Sequence, residues 1–168
     1  MTVGARLPDF DLETSGGDHM TNADLEGRRT VLYFYPKDDT PGCTIEGQEF
    51  TKLNDAFAEA GVTVYGVSPD SLKKHQRFIE KCSLGIALIS DPERLLIESQ
   101  GLWVEKKYMG RQYMGVARTT LLIGPDGTIE REWRDVKPSG HAGCFLPPAF
   151  GRWRLWAFQR KPNTAAGR

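Results

Sequence analysis

The segment YPKDDTPGCT, residues 35–44, combines residue types and spacings that suit nucleophilic chemistry. Cys43 follows a Pro-Gly pair, Thr40 stands three residues before it, and Pro36 stands seven residues before it. An apolar run at 30–35 predicts a buried strand, and apolar spacing over 44–60 predicts a helix. Cys43 therefore falls at a helix start, where unpaired N–H groups and the helix dipole favour the nucleophilic thiolate.

Each residue of this segment also has an ordinary structural explanation. Loop prolines form turns, a threonine before a helix is commonly a cap, and a single cysteine is commonly a small buried apolar residue. The collection of all three at one turn favours a functional site. In such a site the Thr40 hydroxyl is expected to donate to the thiolate or to a bound oxygen.

The cysteine pattern limits the kinds of site that the chain can form. Cys43, Cys82 and Cys144 are the three cysteines, and no CxxC pair occurs among them. This pattern indicates neither a secreted disulfide framework nor a structural zinc site. A thioredoxin-like disulfide reductase remains an alternative, but Thr40-Pro-Gly-Cys43 lacks the second neighbouring sulfur that such an enzyme exchanges.

Alternating strand and helix patterns position the cysteine. They predict an N-terminal β-hairpin over 5–21, strands over 30–35, 62–68 and 86–90, helices over 44–60, 71–82 and 92–100, and a second hairpin over 119–134. Asp70 or Ser71 is predicted to cap the second helix, and Asp91 the third. Strands alternating with helices imply parallel crossovers, and the later hairpin adds antiparallel strands.

Composition and charge favour a globular protein with small or neutral substrates. The 168 residues include 22 basic and 22 acidic ones, so no net charge draws the protein to nucleic acid or to a membrane surface. The N-terminal residues lack the pattern of a signal peptide, and no run is long and apolar enough to span a membrane. A cytoplasmic location is expected.

The chain resembles the peroxiredoxins, and among them the Q-type, bacterioferritin-comigratory branch. The family motif Pro-x-x-x-Thr-x-x-Cys is met by Pro36, Thr40 and Cys43, within the longer match YFYPKDDTPGCTIEGQEF. Similarity continues through VSPDS (67–71), LISD (88–91), GLWVEKK (101–107), YMG (113–115) and ARTTLLI (117–123). The resemblance covers about residues 3–141. It implies an α/β, thioredoxin-like fold with a central mixed β-sheet flanked by helices, as one peroxiredoxin domain over 1–141.

The resemblance also implies an activity and a set of roles. Cys43 corresponds to the peroxidatic cysteine, Thr40 and Pro36 to the residues that shape and shield its pocket, and Arg118 to the arginine that holds the thiolate and orients the peroxide. The implied reaction reduces hydrogen peroxide and organic hydroperoxides, with sulfenic acid as the cysteine product. A non-enzymatic redox-sensing module is a further alternative, and His75 is expected to be structural.

The family resemblance implies the remaining partners. Re-reduction by thioredoxin, glutaredoxin or another small thiol is expected, without metal or cofactor, in a monomer or weak homodimer. Many Q-type members carry a resolving cysteine five residues after the first, where this chain has Gln48. Two routes therefore remain open: resolution by an external thiol, or an internal disulfide to Cys82.

The resemblance ends at a basic C-terminal tail over 142–168. From Val136 to Arg168 the sequence has six lysine or arginine residues and no acidic residue. A change of reading frame is one hypothesis for this shift in composition, and a native tail that contacts a partner or an anionic surface is the other. Cys144 lies in the tail, and no role is assigned to it.

Overall fold

The structure is a computed structural model, and it describes residues 3–140 together with Ala142. The helices are α1 (Pro41–Glu59), α2 (Leu72–Cys82) and α3 (Leu95–Ser99), and a 3-10 turn covers Asn22–Leu25. The strands are β1 (Asp11–Glu13), β2 (His19–Thr21), β3 (Arg29–Phe34), β4 (Val62–Ser68), β5 (Ala87–Ser90), β6 (Trp103–Tyr108), β7 (Arg111–Val116), β8 (Thr119–Ile123) and β9 (Ile129–Trp133). Residues 143–168, with Cys144 and almost all of the predicted tail, lie outside the described residues.

A mixed sheet forms the centre of the described part of the chain. Its order is β5-β4-β3-β8-β9, with β3 in the middle. The β3–β4 and β4–β5 pairs are parallel, whereas β3–β8 and β8–β9 are antiparallel. The parallel pairs follow from helical crossovers, and the antiparallel β8–β9 pair follows from the hairpin. The predicted thioredoxin-like α/β architecture is therefore confirmed.

The two faces of β3 explain its continuous apolar sequence. Leu32 and Phe34 point into one core, which α3 and the N-terminal hairpin cover. Val31 and Tyr33 point into the other core, which α1 and α2 cover. Successive strand residues point to opposite faces, so a strand buried on both sides has no polar alternation.

The segment after β3 turns directly into α1. Thr40 is the N-cap in extended conformation, and Pro41 occupies the first helical position, where its missing N–H costs nothing. The helix therefore starts three residues earlier than the apolar spacing predicts. Phe50 and Phe57 anchor it on the sheet, and the Phe50 ring stacks on Tyr33 with centroids 4.4 Å apart.

The other predicted elements agree with the structure in type and order, and they differ at their ends: the N-terminal strand predicted from Ala5 begins at Asp11. Ser71 caps α2, and its hydroxyl oxygen accepts a hydrogen bond from the N–H of Lys74. Of the two predicted caps, Asp70 and Ser71, the second is therefore correct. The third helix is shorter than predicted because it begins at Leu95, after Arg94 in left-handed conformation. Asp91 is not its N-cap residue, but its carboxylate still accepts the N–H groups of the first three helical residues.

A two-stranded ribbon of β6 and β7 lies outside the central sheet and was not predicted from the sequence. Its strands are mostly exposed, so they lack the apolar alternation that identifies a half-buried strand. The Ala117 N–H donates to the Leu102 carbonyl at 2.7 Å and closes the base of the ribbon. In the described part of the chain, no helix has the length and apolar character needed to cross a membrane.

The close packing of β4 on β3 makes Gly66 a sensitive position. A Cβ at residue 66 would lie 2.7 Å from the Tyr33 ring and 2.8 Å from Leu88 Cδ2. We expect Gly66→Ala to lower the free energy of unfolding by about 2 kcal/mol, because the core must shift to admit the methyl group. Urea unfolding measures this change. Gly16→Ala is the matched control, since its Cβ would meet only Thr14 Oγ1 at 3.7 Å, and equal midpoints for the two variants would contradict the prediction.

Candidate active site

Cys43 lies at the third helical position of α1, the helix that follows the central strand β3. Its side chain is 2% exposed and belongs to the core on the α1 side of the sheet. The first-turn N–H groups of α1 have no helical partner, and the helix dipole is positive at this end. The site thus combines a buried sulfur with an environment that stabilises a negative charge.

Arg118 approaches the sulfur from the loop between β7 and β8. Its Nη2 lies 3.4 Å from Cys43 Sγ. Its side chain is 14% exposed, and its backbone carbonyl accepts the N–H of Val136 at 3.1 Å. The antiparallel pairing of β8 with β3 brings the arginine beside Cys43, although 75 residues separate them in the chain.

Glu46 completes the charged group, and its role was not predicted from the sequence. Its Oε2 accepts a hydrogen bond from Arg118 Nη1 at 2.6 Å, and the side chain is fully buried. Glu46 stands three residues after Cys43, so both side chains lie on the same face of α1. The three-residue spacing of Cys43 and Glu46 was the sequence signal from which a carboxylate beside the thiol could have been predicted.

The predicted Thr40 and Pro36 both lie in the loop between β3 and α1. The Thr40 hydroxyl donates to the Lys37 carbonyl at 2.8 Å, so its single proton is not directed at the sulfur in this structure. The sequence predicts that this hydroxyl donates to the thiolate or to a bound oxygen. In this structure its acceptor is the Lys37 carbonyl oxygen instead. Pro36 is half-buried at the end of the strand.

The segment after β9 restricts the backbone next to Cys43. A Cβ at residue 42 would lie 3.0 Å from Pro138 Cγ and 3.2 Å from Arg118 Nη2, so glycine is the residue that fits there. Two residues beyond Pro138, the Gly140 N–H donates to the Glu49 carboxylate at 2.8 Å. These contacts hold the 136–140 segment against α1.

His75 has the structural role that the sequence analysis expected. It is completely buried, with Nδ1 2.6 Å from Asp38 Oδ2 and Nε2 3.0 Å from the Ile89 carbonyl oxygen. The Tyr35 hydroxyl donates to the other Asp38 oxygen at 2.6 Å. This network attaches the loop before α1 to α2, and both ring nitrogens of His75 are used in it.

The matching family model is that of the AhpC/TSA family, over residues 3–132. The chain belongs to the AhpC/TSA family and is a peroxiredoxin. Among similar proteins, peroxiredoxin Bcp of Bacillus subtilis is 43% identical over 139 residues, covering 83% of this chain and 88% of that protein. Peroxiredoxins are thiol peroxidases, so this peroxiredoxin is an enzyme of that class.

Solved structures of peroxiredoxins have the same fold. Peroxiredoxin Q of Xanthomonas campestris matches with a TM-score of 0.79 and 40% identity, covering 86% of this chain and 94% of that one. A structure of the X. campestris bacterioferritin comigratory protein, from work on its alkyl peroxide reduction activity, also has a TM-score of 0.79, with 39% identity over 86% of this chain and 95% of that one.

The other two positions that concern the proposed catalytic cycle lie on α1 and at the end of α2. Gln48 is exposed on α1, and Cys82 is the last residue of α2, half-buried against the same core that contains Cys43. Cys43 and Cys82 are both free thiols in this structure. Within residues 3–140 and 142, no group of three or more His, Cys, Asp or Glu side chains is arranged to hold a metal ion.

Burial controls the ionisation of Glu46 in this peroxiredoxin. It raises the pKa of Glu46 from 4.5 to about 7, against the opposing effects of the Arg118 charge and hydrogen bond. One carboxyl oxygen, Oε1, has no hydrogen-bond partner among the described residues. The Arg118 pKa is raised, since Glu46 and Cys43 together outweigh the opposing effect of burial.

The raised pKa of Glu46 predicts a specific pH dependence of stability. The folded protein holds this proton more tightly than the unfolded chain, so the free energy of unfolding falls as pH rises from 4.5 to about 7. The shift corresponds to about 3 kcal/mol. We expect Glu46→Gln to remove this part of the pH dependence, as measured by urea unfolding at pH 5 and pH 8 with a reductant present.

A matched control for this measurement is Glu59→Gln. Glu59 is exposed in the last turn of the same helix, so its replacement should leave the pH dependence as in the wild type. If Glu46→Gln and the wild type lose the same stability between pH 5 and pH 8, Glu46 does not titrate as described.

Proposed function

We propose that Cys43 is the peroxidatic cysteine of this peroxiredoxin. The observation that carries the proposal is the 3.4 Å contact between Arg118 Nη2 and the buried Cys43 sulfur at the start of α1. The thiolate attacks one oxygen of the hydroperoxide, the O–O bond breaks, and the second oxygen leaves as hydroxide or alkoxide. That oxygen takes up a proton to give water or an alcohol, and Cys43 becomes a sulfenic acid.

Arg118 supports this displacement in two ways. Its guanidinium remains charged and offers several N–H donors in a fixed plane, so it can hold the thiolate and the peroxide together. As the O–O bond breaks, negative charge grows on the leaving oxygen, and a donor already in place stabilises that charge without rearrangement. Thr40 and Pro36 shape the approach to the sulfur, since both lie in the loop that precedes α1.

We propose hydrogen peroxide and organic hydroperoxides as substrates. Alkyl peroxide reduction is the activity named for the X. campestris protein, and the charge-neutral composition of this chain agrees with small or neutral substrates. Thioredoxin, glutaredoxin or another small thiol is the proposed reductant: two thiols reduce the sulfenic acid, giving a disulfide and water. A cytoplasmic, monomeric or weakly dimeric protein is part of the same proposal.

Removing the arginine tests the proposed role directly. We expect Arg118→Met to lower the second-order rate constant for hydroperoxide reduction about 100-fold, because the thiolate and the leaving oxygen lose a charged donor. Arg118→Lys keeps the charge without the planar fork and should recover part of the rate. The assay follows NADPH consumption with thioredoxin and its reductase, and single-turnover oxidation gives the rate without the reductant.

Two further variants complete this test. Cys43→Ser should have no activity, and Arg111→Met is the matched control because Arg111 is exposed at the start of β7. The role proposed for Arg118 is wrong if Arg118→Met and Arg111→Met have the same rate constant. The peroxidase proposal as a whole fails if the wild-type protein consumes no hydroperoxide with any thiol reductant.

The return of Cys43 to the thiol has two proposed routes. In one, an external thiol attacks the sulfenic acid. In the other, Cys82 attacks it and forms an internal disulfide, which requires the Cα atoms to come within roughly 7 Å. Cys43 is in the first turn of α1 and Cys82 in the last turn of α2, and we expect both helix ends to shift for that bond to form.

Intact mass after one equivalent of peroxide separates the two routes. With an internal disulfide, the wild type loses about two mass units and Cys82→Ser does not, because two hydrogens leave when the bond forms. With the external route, a sulfenic-acid trap adds to both proteins alike. We expect the trapped adduct in both, since Cys82 is half-buried on its helix.

A further inference from the structure

His75 is a completely buried ring whose two nitrogens both face acceptors. Its Nδ1 lies 2.6 Å from Asp38 Oδ2, and its Nε2 lies 3.0 Å from the carbonyl oxygen of Ile89. A carbonyl oxygen only accepts hydrogen bonds, so Nε2 carries a proton, and the short contact of Nδ1 needs a second proton between the ring and the carboxyl. The Tyr35 hydroxyl donates to the other Asp38 oxygen. The arrangement therefore fits a cationic His75 paired with an ionised Asp38.

Asp38 belongs to the loop over 35–40, which connects β3 with α1. Its backbone N–H donates to Asp70 Oδ2 at 2.8 Å, and the Lys74 ammonium lies 3.7 Å from the other Asp70 oxygen. The next residue, Asp39, has a left-handed backbone with a φ of 59°, a conformation that a non-glycine residue keeps only where its surroundings hold it. Both the side chain and the backbone of Asp38 therefore hold this loop in its present conformation.

The loop determines where the start of α1 lies. One residue separates Asp38 from Thr40, the N-cap of α1, and Cys43 stands three residues after Thr40. From the loop before β8, Arg118 contacts the Cys43 sulfur at 3.4 Å. A displacement of Asp38 therefore moves the helix start, and with it the sulfur, relative to the guanidinium.

The Asp38–His75 pair differs from the exposed ion pair beside it. The side chains of Lys81 and Asp39 are 66% and 49% exposed, so water replaces either partner easily and the contact adds little stability. The side chains of His75 and Asp38 are 0% and 5% exposed. Removing one of these two partners leaves a buried charge without compensation, and an opened loop relieves that cost by admitting water.

We propose that His75 is a positioning residue of the peroxidase reaction, whose buried ion pair with Asp38 holds the 35–40 loop closed and keeps Cys43 beside Arg118. The inference rests on the proposed role of Cys43. His75 forms no covalent bond and exchanges no proton with the peroxide. Loss of the pair acts on two steps in opposite directions: attack on peroxide becomes slower because the sulfur leaves Arg118, and reduction of the sulfenic acid becomes faster because an opened loop exposes it.

Hydrogen exchange of the full, reduced chain tests the closed loop without any peroxide. We expect His75→Gln to raise the exchange rates of the backbone amides over 38–44 about tenfold, because the uncompensated Asp38 charge favours local opening. The amides of β3 exchange only when the core opens, so their rates should rise by a smaller factor. Peptide mass analysis after timed exchange measures both segments in the same sample.

Three further variants separate the ion pair from the packing of the ring. Asp38→Asn should also speed exchange over 38–44, and the double variant Asp38→Asn/His75→Gln should recover part of the protection, because neither charge is then left alone. His19→Gln is the matched control: its Nδ1 also lies 2.6 Å from a carboxylate oxygen, that of Asp11, but its side chain is 58% exposed. Exchange in His19→Gln should therefore equal that of the wild type.

Single-turnover kinetics test the two opposite effects, with Cys82→Ser as the common background so that no internal disulfide forms. We expect His75→Gln to lower the rate constant for Cys43 oxidation by hydrogen peroxide about tenfold. Reduction of the sulfenic acid by dithiothreitol should become about threefold faster. In that step the two thiols of dithiothreitol become a disulfide, Cys43 returns to the thiol, and the oxygen leaves as water.

The outcomes that overturn the role of His75 are distinct from those of the peroxidase assay. The role is wrong if exchange over 38–44 in His75→Gln equals that of the wild type or rises no more than that of β3. It is also wrong if the double variant exchanges as fast as His75→Gln, or if oxidation and reduction slow together.

A measurement on the wild type keeps the inference testable if His75→Gln does not fold. Proton–nitrogen NMR spectra should show both ring N–H protons of His75, because each one donates to a buried acceptor. A single ring N–H overturns the ion pair. Hydroperoxide turnover by the wild type decides the proposed function separately, because neither hydrogen exchange nor the ring spectra require peroxide.

Discussion

The candidate active site depends on one largely buried guanidinium that donates hydrogen bonds to two acidic groups at once. Arg118 contacts Cys43 at 3.4 Å and Glu46 at 2.6 Å, and all three side chains are largely removed from water. A buried charge is costly unless it has partners with good geometry. The arrangement therefore stabilises the thiolate only if the surrounding backbone holds the arginine and the helix start in fixed positions.

Several distant parts of the chain provide that fixed arrangement. The central strand β3 places the start of α1, and its neighbour β8 begins directly after Arg118. The 136–140 segment packs Pro138 against Gly42 and joins Gly140 to Glu49. The cysteine, the arginine and the carboxylate are thus held by contacts from several segments, which suits the proposed attack on a small peroxide.

The same packing limits the second half of the proposed catalytic cycle. Cys43 is 2% exposed, so in the proposed cycle a protein reductant would reach its sulfenic acid only after the first turn of α1 opens. The Asp38–His75 contact and the exposed Asp39–Lys81 ion pair connect the loop before α1 with α2, the helix that ends at Cys82. Opening of this region has to break those contacts, whichever thiol resolves the sulfenic acid.

Local sequence determined most strands and helices of the central sheet and the position of the thiol. Apolar runs and turn residues gave the strands and helices of the central sheet, and the Pro36, Thr40 and Cys43 spacing gave the thiol at a helix start. The ribbon of β6 and β7 was missed because its exposed strands carry no apolar alternation. The early start of α1 and the short α3 were missed because caps and left-handed residues, not apolar spacing, set the helix ends.

Tertiary structure decided which charges act on the thiol. The family resemblance supplied Arg118, but its contact with Cys43 joins residues 75 positions apart, and strand pairing creates that contact. The buried state of Glu46 and the direction of the Thr40 hydroxyl likewise depend on packing. Local sequence fixes the conformation of a segment, whereas ionisation depends on burial and on neighbours that only the folded chain brings together.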